Sequence, residues 1–424
     1  MSEAHLNRSP TISSQSKKIR SVDAVVVGGG ITGKACALGL AQLGLQTIAI
    51  APDLSQSIPA PQGAQWGQRI YAFSPSTQKL LTNLQIWDAL DHSRMQPVRD
   101  MRIYGDRGEK NDQLHLSAFE AGIPQLAWIG ESNLIEHTLD QASRFQNKLE
   151  RIDDVIEKIH FDADGSTLLL KNGETIHAQL VIAADGAQSP IRASLGIATN
   201  EESYSQSAVV ANWNCTYPHL ETAFQWFLPG GDIMAMLPLP GKQVSMVWST
   251  SPENAADLLK LDQTQWQKRF ASIANGAIEQ QLGELTLNSM PAAFPLKKIR
   301  AKRFIGPESA PKVVLIGDAA HVMHPLAGQG LNLGLRDVAV LINTIGKRES
   351  FRSLSDTVLL RRYERQRQGD TSALLWVTDK LKKLFSASSN TERQLRNWGL
   401  GLVNKSHFIK QRLIERALGE TDFD

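Results

Sequence analysis

The sequence has few cysteines, no long apolar run and little net charge, and each shortage excludes a class of protein. Its two cysteines, Cys36 and Cys215, are too few for a disulfide framework or a cysteine-rich metal site. No run of about eighteen apolar residues occurs, so no segment is predicted to span a membrane. A net charge of +2 at pH 7, without basic runs interleaved with aromatics, argues against nucleic-acid binding. A reduced cytoplasmic compartment fits best.

The apolar patterns of the 424 residues predict an α/β protein with two interleaved lobes. The first lobe alternates buried strands at 23–27, 46–50, 178–183 and 312–316 with helices at 33–43, 76–90 and 131–145. The second is sheet-based, with short strands between Pro and Gly turns in 97–121 and 208–250. The predicted division is a flexible tail at 1–20, a first lobe at 21–96, 125–200 and 296–345, a second lobe at 97–124 and 201–295, and a C-terminal helical region at 346–424.

The first chemical motif is GGGITG, which places Gly28, Gly30 and Gly33 in GxGxxG spacing between a predicted strand and a helix. This context is typical of a dinucleotide-binding βαβ unit, whose glycines allow a tight turn, approach of a pyrophosphate and close helix packing. The acid that usually binds the ribose is missing, because Ala51 ends the second strand. Either Asp53 or a backbone group would have to replace it.

Two further motifs follow predicted strands of the first lobe. Asp185 and Gly186, with Ser189 and Arg192 after them, fit a cofactor-binding turn or an ordinary turn equally well. The third motif runs from Gly317 to Asn332. Its Asp318 could accept hydrogen bonds from sugar-chain hydroxyls. Its helix is predicted to start at Gly330 or Leu331 and to stabilise the negative charge of a reduced flavin.

Together the three motifs resemble the aromatic-hydroxylase class of flavoprotein monooxygenases, which includes 4-hydroxybenzoate hydroxylase. Further segments are similar to the ubiquinone-biosynthesis hydroxylases of the UbiH/UbiF/VisC group, and the similarity covers nearly the whole chain after Ser21. These segments are GQRIYAFSPSTQKLL (67–81), FLPGGDIMAMLPLPGKQVSMVWS (227–249), HPLAGQGLNLGLRD (324–337), RRYERQRQGD (361–370) and TDKLKKLF (378–385). The chain departs from the family pattern at Ala51, usually Glu, at Ser132, usually Asn, and at Trp226, commonly Arg.

The resemblance implies the class A flavoprotein monooxygenase fold, in which a Rossmann-like FAD-binding domain is interleaved with a smaller β-sheet substrate domain and followed by C-terminal helices. It implies noncovalent FAD and a transient NAD(P)H. Glycines of the first motif would hold the pyrophosphate, and Asp318 would bind the ribityl chain. The remaining cofactor-binding residues it implies are Arg69, Asp185, Gly186, Gly317, Gly328, Gly330, Leu331 and Asn332.

The resemblance also implies the reaction. NAD(P)H would reduce the FAD, oxygen would form a flavin hydroperoxide, and the ring of a prenylated phenol in ubiquinone biosynthesis would accept the distal oxygen. The candidate catalytic residues are His324, Pro325 and Gln329. His324 is a candidate base, with a structural role before Pro325 as the alternative. No metal site is expected, because His321 and His324 lie three apart without a partnering carboxylate pair.

Two other functions stay open from the sequence. One is a catalytically silent FAD-binding scaffold of a quinone-biosynthesis assembly. The other is a related flavin enzyme, a prenyl-lipid reductase or a halogenase, although the WxWxIP string of halogenases is absent. The C-terminal third combines cations with apolar residues, which indicates either a solvated face or peripheral contact with the inner membrane face or with other ubiquinone-biosynthesis proteins. These cations are Lys380, Lys382, Lys383, Lys405, Lys410, Arg412 and Arg416.

Overall fold

The computed structural model describes residues 19–54, 56, 59–63, 66–105, 113–323 and 329–386, and of residues 329 and 373–386 only the backbone. Its first sheet has the order β18-β19-β11-β1-β2-β8, and β10 joins β11 to β9. The run from β19 to β8 is parallel throughout. Numbered in chain order, the strands are β1 (Arg20–Val27), β2 (Thr47–Ala51), β8 (Leu149–Asp153), β9 (Ile156–Phe161), β10 (Ser166–Leu170), β11 (Thr175–Ala183), β18 (Ile305–Gly306) and β19 (Val313–Leu315).

The second sheet has nine strands in the order β20-β17-β12-β15-β14-β13-β5-β6, and β16 pairs with β12. It is antiparallel except where β13 pairs with β5. These strands are β5 (Asp100–Tyr104), β6 (Gln113–Ser117), β12 (Thr199–Cys215), β13 (Thr222–Phe227), β14 (Ile233–Leu239), β15 (Gln243–Thr250), β16 (Leu285–Leu287), β17 (Ala292–Ala301) and β20 (His321–Val322).

A third, three-stranded sheet contains β3 (Ile70–Phe73), β7 (Ala127–Glu131) and β4 (Gln96–Val98) in that order. The strand β4 therefore pairs with β7 and not with the nine-stranded sheet. The α/β fold class is confirmed, whereas the division of the chain into lobes stays a prediction.

The helices, numbered likewise, are distributed over both large sheets. Helix α1 is buried on almost all sides because it contacts β1, β2, α4 and α9. It ends before Gly44, as its sequence predicts. The helices are α1 (Ile31–Gln42), α2 (Pro75–Asn83), α3 (Ala118–Ala121), α4 (Ser132–Arg144), α5 (Pro190–Ser194), α6 (Pro252–Leu258), α7 (Gln263–Ser272), α8 (Ala277–Leu282), α9 (Gln329–Gly346) and α10 (Thr357–Ser386).

The helix predicted over 76–90 is shorter in the structure. Helix α2 ends at Asn83 because Gln85 takes a left-handed conformation with φ of +60°, and a separate 3-10 turn follows at Trp87–Ala89. Helix α9, which is predicted to start at Gly330 or Leu331, is described from Gln329 onward.

One face of the nine-stranded sheet packs under α6, α7 and α8. The aromatic core between them includes Trp213, Trp248, Trp266 and Phe270, all at most 1% exposed. The ring of Trp226 stacks between neighbouring aromatic rings on the same face. Core packing therefore accounts for these tryptophans, and the opposite face of the sheet is left to line a cavity.

Over the described part of the chain, no helix combines the length and apolar composition needed to cross a membrane. Within the same residues, no three His, Cys, Asp or Glu side chains cluster as metal ligands do.

Candidate active site

Two cavities meet between the sheets. One, of about 690 Å³, lies at the carboxyl ends of the parallel strands β1, β2, β11 and β19. The other, of about 530 Å³, lies between the three-stranded sheet and the free face of the nine-stranded sheet. Ligands of open parallel sheets bind at the carboxyl ends of the strands, so the first cavity is the expected cofactor position. The residues that line both cavities are Arg69, Tyr71, Asp318, Met323, Gly330 and Leu331.

The three glycines of the first motif perform different tasks. A Cβ on Gly28 would lie 2.0 Å from the Ala184 carbonyl oxygen, and one on Gly33 would lie 2.2 Å from the Gly28 oxygen. These two glycines therefore let β1, β11 and α1 come into contact. A Cβ on Gly30 would meet no protein atom within 4 Å, because Gly30 faces the larger cavity at the start of α1. Such an opening over a helix N-terminus fits a pyrophosphate.

The second motif lies at the end of β11, on the wall of the larger cavity. Oδ2 of Asp185 accepts a hydrogen bond of 3.1 Å from the Ile191 amide. Its Oδ1 is buried and has no hydrogen-bond partner among the described residues. A buried carboxylate oxygen without a partner is costly, so this atom fits a ligand that donates a hydrogen bond.

Arg192 connects the second motif to the third. Its guanidinium donates to the carbonyl oxygen of Ala319 at 2.8 Å and to that of Ala187 at 2.7 Å. Arg192 is 7% exposed, so it is a positioning residue between two walls of the cavity.

The third motif is held by the fully buried carboxylate of Asp337 on α9. Oδ2 accepts from the Gly317 amide at 2.8 Å and from Nε2 of His321 at 2.7 Å, and Oδ1 accepts from Nε of Arg367 at 2.7 Å. Burial alone would raise the pKa of Asp337, but His321 and Arg367 outweigh it and lower the pKa. An ionised Asp337 thus fixes the turn that presents Asp318.

The carboxylate of Asp318 lies at the junction of the two cavities. Desolvation by the surrounding protein raises its pKa, and His321 and Arg69 act in the opposite direction. A poorly solvated carboxylate gains most from donors that a ligand brings, so this position suits a hydroxylated chain.

The side chain of Asn332 forms hydrogen bonds to other groups of the protein. Its amide nitrogen donates to the Ala72 carbonyl at 2.7 Å, and its Oδ1 accepts from the Ser74 amide at 3.0 Å and from the Thr77 hydroxyl at 2.8 Å. These bonds attach the first turn of α9 to β3 and α2. A flavin contact from Asn332 would therefore come from its backbone.

Several predicted residues lie outside the described part of the chain, namely His324, Pro325 and Gly328. For Gln329 only the backbone is described, at the start of α9. Gly330 and Leu331 lie at the cavity junction, as do Arg69 and Asp318. The roles assigned to all these residues stay predictions.

The sequence motifs do not indicate every lining residue, and Tyr71 and Glu136 are two that they miss. Tyr71 lies two residues after Arg69 and lines both cavities, and the period of two along a strand would have indicated it. Glu136 on α4 lines the larger cavity, as Ala51 does. Desolvation raises the pKa of Glu136, against Lys34 and Arg69. By contrast, Asp53 is exposed and accepts a hydrogen bond from Gln56.

The lining of the smaller cavity is mostly apolar. Its charged lining residues, among those described, are Arg69 and Asp318, both at the junction. Short side chains on the nine-stranded sheet, Ala208, Ala223 and Ala235, give it depth. A cavity that suits a dinucleotide and opens into a mostly apolar cavity against a second sheet is the arrangement expected of a flavin-dependent oxidoreductase.

Comparison with known proteins identifies the family. Residues 21–375 match the model of the FAD binding domain family. The 3-demethoxyubiquinol 3-hydroxylase of Escherichia coli (strain K12) is 33% identical over 396 residues, which cover 93% of this chain and 97% of that protein. The mitochondrial ubiquinone biosynthesis monooxygenase COQ6 of Homo sapiens is 30% identical over 446 residues, covering 93% and 92%. The crystal structure of p-nitrophenol 4-monooxygenase PnpA from Pseudomonas putida DLL-E4 superposes with a TM-score of 0.71 at 18% identity, covering 94% and 99%.

The chain therefore belongs to the FAD binding domain family and, within it, to the ubiquinone-biosynthesis flavin hydroxylases that its motifs resemble. It is an FAD-dependent monooxygenase that uses NAD(P)H and molecular oxygen.

Proposed function

We propose that this enzyme hydroxylates the aromatic ring of a prenylated phenol in ubiquinone biosynthesis. The observation that carries the proposal is the apolar cavity of about 530 Å³ that opens directly onto the cofactor cavity. Two relatives that align over nearly the whole chain, named 3-demethoxyubiquinol 3-hydroxylase and ubiquinone biosynthesis monooxygenase COQ6, support the pathway.

The residues present fit FAD. The opening at Gly30 and the N-terminus of α1 would receive the pyrophosphate, Asp318 would accept from the ribityl hydroxyls, and the backbone at Gly330 and Leu331 would lie beside the flavin ring. When bound and reduced, FAD supplies the activation of oxygen. The positive end of α9 would stabilise negative charge on the reduced ring.

The smaller cavity would orient the phenol and exclude water. Its charged groups lie at the cofactor end, so the polar ring of the substrate would face the flavin and the prenyl group the apolar wall. Exclusion of water protects a reactive oxidant from hydrolysis. We assign the catalytic positions to His324, Pro325 and Gln329, with the exchange His324→Gln as their test.

The decisive experiment supplies NAD(P)H, a short-chain prenylated phenol and oxygen-18 gas, with a parallel reaction in oxygen-18 water. Mass spectrometry should find the label in the product hydroxyl only when the gas is labelled. Incorporation from water would indicate dehydrogenation followed by hydration. Flavin reduction without any hydroxylated product would instead favour the alternative function, a catalytically silent FAD-binding scaffold.

The proposal includes contact with a membrane surface, since prenylated phenols partition into lipid. The C-terminal cations support it, although their side chains lie outside the described part of the chain. The full-length protein should sediment with vesicles that contain anionic lipid and not with vesicles of zwitterionic lipid alone. Equal sedimentation with both would contradict the electrostatic contact. Co-purification with other ubiquinone-biosynthesis proteins would test the proposed assembly.

A further inference from the structure

A single carboxamide stands on the apolar wall that the nine-stranded sheet contributes to the smaller cavity. Gln225 on β13 is 6% exposed and lines this cavity. Its side chain forms no hydrogen bond with any residue that the structure describes, and its polar atoms are not among those sealed inside the protein. The amide is therefore accessible from the cavity and open to a partner there.

The sheet itself offers no partner. The strand register places Gln225 beside Ala235 of β14 and Ile103 of β5, and Val247 of β15 follows Ala235. The adjacent residue Trp226 points to the opposite face, into the aromatic core. Every close neighbour of Gln225 along these strands is thus apolar.

Another carboxamide of the same sheet forms hydrogen bonds within the protein. Gln243 on β15 accepts a hydrogen bond from Trp66 and donates one to Asn214. Two serines of β15, Ser245 and Ser249, also line the wall of the smaller cavity. A carboxamide differs from a hydroxyl because it provides separate donor and acceptor atoms held in one plane.

We propose that Gln225 is the specificity-determining residue that recognises an oxygen substituent on the aromatic ring of the substrate. This inference rests on the proposed function. The carboxamide oxygen accepts a hydrogen bond from a phenolic hydroxyl, or the amide group donates to a ring oxygen. The apolar neighbours accommodate the rest of the ring and the prenyl group. An aromatic hydrocarbon of the same shape leaves the buried amide unpaired and binds less well.

The test compares two probes on the oxidised holoenzyme without NAD(P)H, so that no turnover occurs. The probes are 2-(3-methylbut-2-enyl)phenol and 3-methylbut-2-enylbenzene, which lacks the oxygen. Equilibrium dialysis gives a Kd for each probe. The Kd of the hydrocarbon divided by the Kd of the phenol reports recognition of the hydroxyl. In the variant Gln225→Leu we expect this ratio to fall by about tenfold, because one hydrogen bond in a mostly apolar cavity is lost. Gln225→Met, of similar length, should behave in the same way.

The matched control is Gln113→Leu, the same exchange on β6 at a position that does not line the cavity. It should keep the wild-type ratio. Equal weakening of both probes by Gln225→Leu would mean lost packing and would overturn the inference, as would an unchanged ratio. If the wild-type enzyme bound neither probe, the proposed function would fail with it. These results are distinguishable, because lost recognition lowers the Kd ratio of the variant, lost packing raises both of its Kd values equally, and failure of the proposed function appears in the Kd values of the wild type.

Discussion

The exchange Gly30→Val should separate cofactor binding from folding. The backbone of Gly30 has φ of −76° and ψ of 173°, which any residue adopts, and a Cβ there meets no protein atom within 4 Å. The apoprotein should therefore keep its stability to within about 0.5 kcal/mol. The valine side chain would occupy the space above α1 that the pyrophosphate needs. A displaced pyrophosphate loses one or more charged hydrogen bonds to the protein. Each is worth about 1.5–3 kcal/mol, so the Kd for FAD should rise by about 10- to 150-fold for each bond lost.

Gly33→Ala is the matched control. Its Cβ would lie 2.2 Å from the Gly28 carbonyl oxygen, a contact that the backbone must shift to relieve. This overpacking should lower the free energy of unfolding of the apoprotein by about 1–3 kcal/mol. Denaturant titration of the apoproteins and fluorescence titration with FAD measure the two effects. The reasoning is refuted if Gly30→Val keeps its yellow colour through purification, or if its apoprotein is destabilised as much as that of Gly33→Ala.

The other predictions concern carboxylates. Asp318→Ala should weaken FAD binding about 10- to 150-fold in a fluorescence titration, and Asp53→Ala should weaken it much less, because Asp53 is exposed and bonded to Gln56. The reverse order would make Asp53 the ribose ligand. Asp337→Asn should cost about 3 kcal/mol of stability, since it removes the fully buried one of the two carboxylates that pair with buried Arg367. Because the folded pKa of Asp337 is lowered, the difference between wild type and this variant should stay constant above about pH 5 and shrink as the pH falls further. A difference independent of pH down to unfolding would contradict an ionised Asp337.

The elements around the first motif could be predicted from the sequence because local signals agree there. An apolar run, three spaced glycines and an Ala- and Leu-rich segment indicate β1 and α1 from local sequence alone. The end of α2 could not be predicted in this way. Gln85 takes the left-handed conformation, in which glycine is the usual residue after a helix, so no glycine marks this helix end.

For a related reason, the sequence predicts only some of the residues that line the cofactor cavity. Motifs identify residues near one another in the chain, such as Asp318 and Gly330. Glu136 reaches the cavity from α4, far from any motif, and only the packing of α4 on α1 brings it there. The same limit applied to Gln225, since alternation along β13 separates two faces without indicating which of them is covered by helices. The hydrogen bonds of the Asn332 side chain to β3 and α2 likewise join residues that are distant in the chain, so the sequence does not indicate them.

The short side chains on the cavity wall have a practical consequence. Ala208, Ala223 and Ala235 lie on paired strands of the nine-stranded sheet, whereas the glycine motif belongs to the parallel sheet. Exchanging one of these alanines for a larger residue would shrink the cavity and leave the cofactor turn intact. We therefore expect substrate range and flavin affinity to be separately adjustable, and a small library at these three positions would test whether the enzyme can be made to accept differently shaped rings.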